Sequence, residues 1–326
     1  MITKRERLEA AIAGEVADRP PVALWRHFPV DDQVATSLAD ASADFQRAYD
    51  FDFIKVTPAS SFCLKDWGVE DSWRGSSEGT REYIQRVILE PEGWSKLPQL
   101  DPTQGSLGEQ LRCLQRLKSK FDTETPIIQT VFSPLAQAKN LAGQERLMEH
   151  LNRYPDHVEI GLEIITESTI AFVEAALALG IDGIFYAVQH ATYRYFDRQT
   201  YSRFGERFDR RILERCTDSW LNVLHLHGDA VIFDLAEEYP VQVVNWHDRE
   251  TLPNLASGKA KIHSAVCGGI RRETMVLGDA QAVGDEASEA IHSLNGRGVI
   301  LGTGCVVPII APRGNLIAAR AAVNCV

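Results

Sequence analysis

Two histidines, His225 and His227, lie in the apolar stretch VLHLHGD at residues 223–229. Side chains two residues apart on a β-strand point to the same side, whereas on a helix they diverge. The apolar residues around the pair favour a strand, so we expect the two imidazoles to converge. A buried imidazole needs a hydrogen-bonding partner or a metal ion. The pair is therefore either a hydrogen-bonded part of the core or part of a metal site.

A thiol completes one set of metal ligands. Cys305 closes the segment GVILGTGC and follows His227 by 78 residues. Two imidazoles and a thiolate leave one position of a tetrahedral zinc ion open, which is typical of catalytic zinc sites. Zinc held in this way lowers the pKa of a bound thiol or water and makes it a nucleophile at neutral pH. We therefore predict a Zn²⁺ site formed by His225, His227 and Cys305, suited to alkyl transfer.

The elements that must position these residues alternate between strand-like and helical patterns. Eight segments are rich in β-branched or aromatic residues, at 21–28, 51–58, 126–134, 181–190, 222–228, 241–247, 261–269 and 298–305. Eight strands alternating with helices predict an α/β fold of the (β/α)8 TIM barrel type. We interpret residues 1–326 as a single domain, with an insertion at 59–120, after the second strand, that covers the barrel mouth. A doubly wound open sheet is the alternative.

Polar residues at the ends of these strands are further candidates, because active sites of such barrels lie at the carboxyl ends of the strands. Arg26 ends the first predicted strand, Gln189 and His190 end the fourth, and His247 ends the sixth. We predict that Arg26, Gln189 and His190 bind substrate, Arg26 by gripping a carboxylate or phosphate with its guanidinium. Arg26, His190 and His247 are the predicted catalytic residues. The alternative is that each is an ordinary polar residue at the start of a loop.

The composition excludes several classes of function. A formal net charge of -11 and the lack of a dense Lys/Arg cluster argue against a nucleic-acid partner. No stretch of about 18 apolar residues occurs, and the N-terminal segment is a charged amphipathic helix, so we expect a cytoplasmic protein with no membrane span. Six cysteines without CxxC spacing favour free thiols over disulfides.

Several segments resemble the uroporphyrinogen decarboxylase superfamily. They are RPPVALWR (19–26), FDFIKVTP (51–58), VFSPLAQAKNLAG (131–143), GIDGIFYA (180–187) and LGTGCVVPIIAPRGNLIAA (301–319). The resemblance covers nearly the whole chain and implies a (β/α)8 barrel. It also implies one of two activities: decarboxylation of a porphyrinogen, or, in a zinc-dependent branch, methyl transfer between corrinoid proteins and thiols.

Departures from the decarboxylase pattern favour the methyltransferase branch. Arg26 matches the first arginine of an RQAGR-like stretch, but HFPVDDQ follows it and the second arginine is missing. IKVTPA replaces the FSDI-like element that carries a key aspartate in the decarboxylases. Thr303 stands where those enzymes have the histidine of a GHG-like final strand.

The zinc ligands of the methyltransferase branch resemble HxC on the fifth strand and a cysteine on the last. His225, His227 and Cys305 match this pattern with one cysteine replaced by histidine. No DxHxxG corrinoid motif is found, since Val223 stands where HLHG would need an aspartate. The resemblance thus implies a small-molecule substrate, a corrinoid on a separate partner protein and, as an option, a homodimer. A carboxy-lyase acting on a tetrapyrrole or another acid remains one alternative, and a non-catalytic corrinoid- or tetrapyrrole-binding protein is the other.

Overall fold

A computed structural model describes residues 2–121, 123 and 125–324 of the chain. Within these ranges the main sheet has seven strands, all parallel, in the order β1-β4-β5-β6-β7-β8-β9, and β2 and β3 form a separate antiparallel pair. The strands are β1 (Ile54–Val56), β2 (Glu70–Ser72), β3 (Glu82–Gln85), β4 (Ile127–Phe132), β5 (Gly183–Val188), β6 (Val223–Leu226), β7 (Val243–Trp246), β8 (Ala265–Ile270) and β9 (Val299–Thr303). Every residue of the seven parallel strands is buried, as expected for a parallel sheet covered by helices.

The segment around Val22 lies between the two ends of the main sheet. Val22 forms a parallel bridge with Leu301 of β9, and its carbonyl accepts a 2.8 Å hydrogen bond from the backbone N–H of Asp52, just before β1. The sheet is thus curled, which is consistent with a TIM-like barrel. The predicted strand at 21–28 is reduced to this single bridge. Pro20 and Pro21 carry no N–H group for a strand ladder, which limits pairing at this point.

Helices follow most of the parallel strands. Gly180 follows the long helix α6 with φ of +78°, the left-handed conformation typical after a helix C-terminus. The helices are α1 (Lys4–Ile12), α2 (Ala35–Tyr49), α3 (Gly105–Lys120), α4 (Pro134–Ala142), α5 (Gln144–Arg153), α6 (Pro155–Ala178), α7 (Arg198–Tyr201), α8 (Arg207–Glu214), α9 (Leu235–Glu238), α10 (Leu255–Lys259), α11 (Thr274–Leu277), α12 (Ala280–Ser293) and α13 (Arg313–Ala322). Short 3₁₀ turns span Asp31–Gln33, Lys65–Trp67 and Pro91–Lys96, and a π-turn spans Ser202–Glu206.

The connection from β1 to β4 contains both the β2–β3 pair and α3. Helix α3 packs against α2 through a small apolar cluster that includes Leu38, Leu114 and Leu117. After β3, the ring of Trp94 lies so close to Gly161 of α6 that a Cβ atom there would come within 2.5 Å of it. The predicted insertion therefore includes a helix, α3, that packs against α2. The description of all of 59–120 as an insertion stays a prediction.

A buried carboxylate ties β5 to the helices that follow it. Asp209 of α8 accepts hydrogen bonds from the hydroxyls of Tyr186, Tyr201 and Tyr239 at 2.6, 2.7 and 2.8 Å. Burial raises the pKa of Asp209 to about 6, although the three hydrogen bonds act in the opposite direction. These bonds satisfy all four buried polar groups.

Among the described helices, none combines the length and apolar character that a membrane crossing requires. The five cysteines in the described ranges, at positions 63, 113, 216, 267 and 305, are free thiols, as predicted. Cys325 lies outside the described residues.

Candidate metal centre and cavity

A cavity of about 320 Å³ lies at the carboxyl ends of the parallel strands. Three predicted metal ligands, His225, His227 and Cys305, line it, as does Gln189 after β5. The hairpin formed by β2 and β3 also contributes to the cavity wall, through Glu78–Arg81 and Tyr83.

Four donor atoms meet at one side of this cavity. One ring nitrogen each of His225, His227 and His247 and the sulfur of Cys305 all lie within 4.8 Å of one another. Nδ1 of His227 lies 3.3 Å from Nε2 of His225, 3.4 Å from Nε2 of His247 and 3.7 Å from Sγ of Cys305. His247, which we predicted as a catalytic residue and not as a ligand, is thus the fourth member of the cluster. It does not line the cavity.

Strand register explains this convergence. On β6 and just beyond it, His225 and His227 point to the same side because they are two residues apart. In the β6–β7 pairing His225 lies opposite Asn245 and Leu226 opposite Trp246, so His227 and His247 follow as neighbours at the ends of the two strands. Cys305 lies two residues beyond the end of β9.

Asn245 fixes the orientation of the His225 ring. Its amide nitrogen donates hydrogen bonds to the carbonyls of Cys267 and Thr303 at 2.8 and 3.0 Å. The amide oxygen is therefore the acceptor for Nδ1 of His225, at 2.6 Å. Since Nδ1 carries the proton, Nε2 of His225 presents its lone pair to the cluster.

Glu250 orients His247 in the same way. Nδ1 of His247 donates to the Glu250 carboxylate at 3.0 Å, which leaves Nε2 as the donor atom that faces the cluster. A carboxylate or carbonyl bonded to the second nitrogen of an imidazole is the usual support for a metal-binding histidine. Both residues were missed by the sequence analysis, although Asn245 lies two residues before His247 and hence on the same side of β7.

The cluster favours a thiolate. In the metal-free protein burial would raise the pKa of Cys305, but protonated imidazoles beside it, first His225 and then His227 and His247, lower that pKa well below its usual value. A bound metal ion would take the place of those protons on the imidazoles. A thiolate is the form of cysteine that binds metal ions.

The residues present fit a zinc ion. Donors at the corners of a tetrahedron with zinc–nitrogen and zinc–sulfur bond lengths lie roughly 3.3–3.7 Å apart. The three separations measured from Nδ1 of His227 fall in this range. Three imidazole nitrogens and one thiolate also form a donor set that zinc accepts.

The structure places two other predicted residues away from the cavity wall. The guanidinium of Arg26 lies 5.3 Å from the ring centres of both Phe28 and Phe45, beside α2. Its neighbour Trp25 lines the cavity, and adjacent residues of an extended segment point to opposite sides. The same alternation separates Gln189, which lines the cavity, from His190.

His190 lies in its own buried surroundings. Its Nε2 is 3.0 Å from the side-chain oxygen of Gln144, and its ring stacks on Tyr195. Burial lowers the pKa of His190 to about 3, so its imidazole is neutral at pH 7.

Comparisons with known proteins agree on one family. The family model described as uroporphyrinogen decarboxylase (URO-D) matches residues 3–325. A methylated-thiol–coenzyme M methyltransferase from Methanosarcina mazei is 23% identical over 248 residues, which are 71% of this chain. The match spans 65% of that relative, less than two thirds of its length.

Solved structures share the fold. A methyltransferase from Methanosarcina mazei superposes with a TM-score of 0.85 at 19% identity, covering 99% of this chain and 98% of its own. A B12-independent methionine synthase from Shewanella sp. W3-18-1, solved with selenomethionine, gives a TM-score of 0.59 at 14% identity, covering 96% of each chain.

Proposed function

The chain belongs to the uroporphyrinogen decarboxylase family, whose model matches residues 3–325, and on this premise we propose that it transfers a methyl group to or from a small thiol at a zinc ion. One observation carries the proposal: three imidazole nitrogens and the sulfur of Cys305 lie within 4.8 Å of one another at the edge of the cavity. The methyltransferase names of the curated and structural relatives support it.

His225, His227, His247 and Cys305 would hold the ion. Zinc at this position would supply Lewis acidity. Because four protein donors fill a tetrahedral coordination sphere, a thiol would bind as a fifth ligand or by displacing one donor, and its pKa would fall so that the thiolate is available at neutral pH. Asn245 and Glu250 keep the imidazoles in the tautomers that bind metal. Because three of the four donors line the cavity, a thiol that enters it meets the centre directly.

Methyl transfer fits this cavity better than decarboxylation does. The arginine expected to bind the carboxylates of a porphyrinogen, Arg26, lies outside the cavity wall beside Phe28 and Phe45. The cavity of about 320 Å³ suits a small molecule. The curated relative is named for a methylated thiol, which supports a small thiol as one partner in the methyl transfer.

The methyl donor in this proposal is a corrinoid on a separate protein. The chain itself has no DxHxxG motif, since Val223 precedes HLHG where the motif has aspartate. The barrel mouth, at the carboxyl ends of the strands, is the side from which such a partner delivers its methyl group.

The deciding experiment joins metal content to methyl transfer. Protein purified without a polyhistidine tag is analysed for zinc and assayed with methylcobalamin as donor and a panel of small thiols as acceptors. We expect near-stoichiometric zinc and S-methyl product in the wild type, and loss of both in Cys305→Ala and His225→Ala. His263→Ala, at an exposed histidine, is the matched control and should behave as wild type.

Two results would overturn the proposal. Unchanged metal content and methyl transfer in Cys305→Ala would remove the cluster from the reaction. Release of carbon dioxide from a porphyrinogen or another acid by metal-stripped protein would instead support the carboxy-lyase alternative.

A further inference from the structure

The hairpin formed by β2 and β3 is separate from the main sheet. Its strands have three and four residues, their pairing is irregular between Glu70 and Asp71, and every residue in them is exposed or half-buried. An isolated pair of strands is at best marginally stable in water. The position of the hairpin over the cavity therefore depends on the contacts of its tip, residues 76–80, of which residues 78–80 line the cavity.

The tip has internal hydrogen bonds that keep its shape. The N–H of Gly79 donates to the carbonyl of Ser76 at 2.9 Å, and the hydroxyls of Ser76 and Thr80 are 2.9 Å apart. At the base of the hairpin, Arg81 donates to Asp71 at 2.8 Å. The tip can therefore move as a unit while the base of the hairpin stays in place.

The tip packs on the segment that follows Cys305. The carbonyl of Ser77 accepts a hydrogen bond from the N–H of Ile309 at 2.8 Å. Gly79 lies so close to the barrel that a Cβ atom there would come within 2.6 Å of the Cβ of His27 and 3.1 Å of the Ile309 side chain. Only a residue without a side chain fits this contact.

Arg272 joins the tip to the same segment. Its Nε donates to the carbonyl of Val306, next to Cys305, at 3.0 Å, and its guanidinium forms an ion pair with Glu78 of the tip. The Arg272 side chain is 13% exposed and that of Glu78 42%. Because a partly exposed ion pair adds little to stability, this contact can break and form again readily.

We propose that the β2–β3 hairpin is a lid over the metal-binding cluster, and that Arg272 is a positioning residue that holds the lid closed through Glu78. The closed lid limits the cavity to small molecules, and the open lid admits a bulky reactant. The lid rests on the contacts of the tip. The identity of the bulky reactant, a methylcorrinoid, rests on the proposed function.

Two glycines provide a matched test of the lid. Gly79→Ala should push the tip off His27, whereas Gly75→Ala is the control, because its φ of +83° matches the +77° of Gly79 and no atom lies within 4 Å of a Cβ there. Metal-free protein is treated with iodoacetamide or with the bulky pyrene maleimide, and peptide mass spectrometry follows the modification of Cys305.

The ratio of the two rates, maleimide over iodoacetamide, reports access to Cys305. We expect Gly79→Ala to raise this ratio about 10-fold and Gly75→Ala to leave it within about twofold of wild type, since bulky reagents react only through the open form. Cys113 and Cys216, both buried, should stay unmodified and so show that the fold is intact. Equal ratios in the two glycine variants would overturn the lid.

The role of Arg272 is tested by a double-mutant cycle. Glu78→Gln and Arg272→Met should each raise the ratio several-fold, and the double variant no further than the larger single effect, as expected for two residues that act through one contact. Arg272→Lys, which keeps the charge, should recover most of the change. Because a change of charge near Cys305 alters its reactivity toward both reagents, the ratio reports access alone. An unchanged ratio in both single variants, or additive effects, would overturn the role of Arg272.

Hydrogen exchange checks the movement directly. The amide of Ile309 should exchange faster in Gly79→Ala and Arg272→Met than in wild type, while the amides of β4 keep their rates. Unchanged exchange at Ile309 would contradict release of the tip. None of these measurements needs metal or methyl transfer. If they give the expected results while no thiol is methylated, the lid stands and the methyltransferase proposal fails.

Discussion

His225 and Asn245 share a 2.6 Å hydrogen bond that fixes which imidazole nitrogen is free to bind a metal. Asn245 also bonds to the carbonyls of Cys267 and Thr303, so one amide on β7 connects β6, β8 and β9. We predict that Asn245→Ala lowers zinc affinity about 10- to 100-fold, although it removes no ligand. Competition with a chromophoric chelator measures the affinity, and Asn152→Ala, at an exposed asparagine of α5, is the control. Wild-type affinity in Asn245→Ala would contradict the orienting role.

His247 should act as a true ligand. In cobalt-substituted protein we expect the intense visible absorption of a four-coordinate ion and a charge-transfer band from the Cys305 thiolate. His247→Ala should shift the visible bands and keep the charge-transfer band, whereas Cys305→Ser should abolish the latter. A spectrum unchanged by His247→Ala would show that His247 does not bind the metal and that the other three donors suffice.

Metal removal should expose one reactive cysteine. Of the five cysteines in the described ranges, Cys305 alone lines the central cavity, and its neighbouring imidazoles favour the thiolate. Burial raises the pKa of Cys113 and Cys216 to about 12, which suppresses their reactivity. We expect iodoacetamide to modify Cys305 in metal-free protein at least about 10-fold faster than in zinc-loaded protein. Peptide mass spectrometry checks this, and equal rates with and without zinc would contradict ligation by Cys305.

The Asp209 cluster should be a major contributor to stability. Asp209→Ala leaves the hydroxyls of Tyr186, Tyr201 and Tyr239 buried without an acceptor, so we expect a loss of about 3 kcal/mol or more in the free energy of unfolding. Tyr239→Phe removes one donor and should cost about 1 kcal/mol. Urea denaturation of both variants measures the difference, and a smaller loss in Asp209→Ala than in Tyr239→Phe would be inconsistent with the cluster.

Lys55 should destabilise the ligand-free protein in a pH-dependent way. Burial lowers the pKa of Lys55 from about 10.5 in the unfolded chain to about 7 in the folded protein, so between these values only the unfolded chain binds the extra proton. Wild-type stability therefore falls, through this group, as the pH is lowered from about 10 to about 7. Lys55→Met lacks this effect, and its stability advantage should widen over that range, to an order of a few kcal/mol, and then level off. Urea titrations of wild type and Lys55→Met at several pH values measure the difference in their free energies of unfolding. A difference independent of pH would contradict the lowered pKa of Lys55.

Much of the fold was predictable from local patterns. Seven of the eight predicted strand segments overlap a strand of the main sheet, because each is a short apolar run between helical periodicities. The exception, residues 21–28, has the composition of a strand but begins with the second of two consecutive prolines and forms only the Val22 bridge. An apolar composition indicates that a segment is buried. Pairing in a sheet also requires backbone N–H groups that hydrogen-bond to a neighbouring strand.

The candidate site was predictable where residues share a strand and not where they lie across strands. His225 and His227 converge by alternation alone, which a sequence displays directly. His247 and Asn245 join them only through the β6–β7 register, which depends on tertiary pairing. Arg26 and His190 were predicted to bind substrate, but each is next in sequence to a residue that lines the cavity and points to the other side. An error of one residue in the alternation is enough to place a side chain on the helix side instead of the cavity side.

The buried Lys55, which forms no ion pair with aspartate or glutamate among the described residues, also affects how this protein would respond to laboratory evolution. A screen that scores heat resistance alone would favour replacement of Lys55 by an apolar residue, since that change removes a buried charge. A screen for any activity of the cavity that uses this ammonium would keep the lysine. The two screens would therefore select different residues at position 55, as expected where a binding site is kept at the expense of stability.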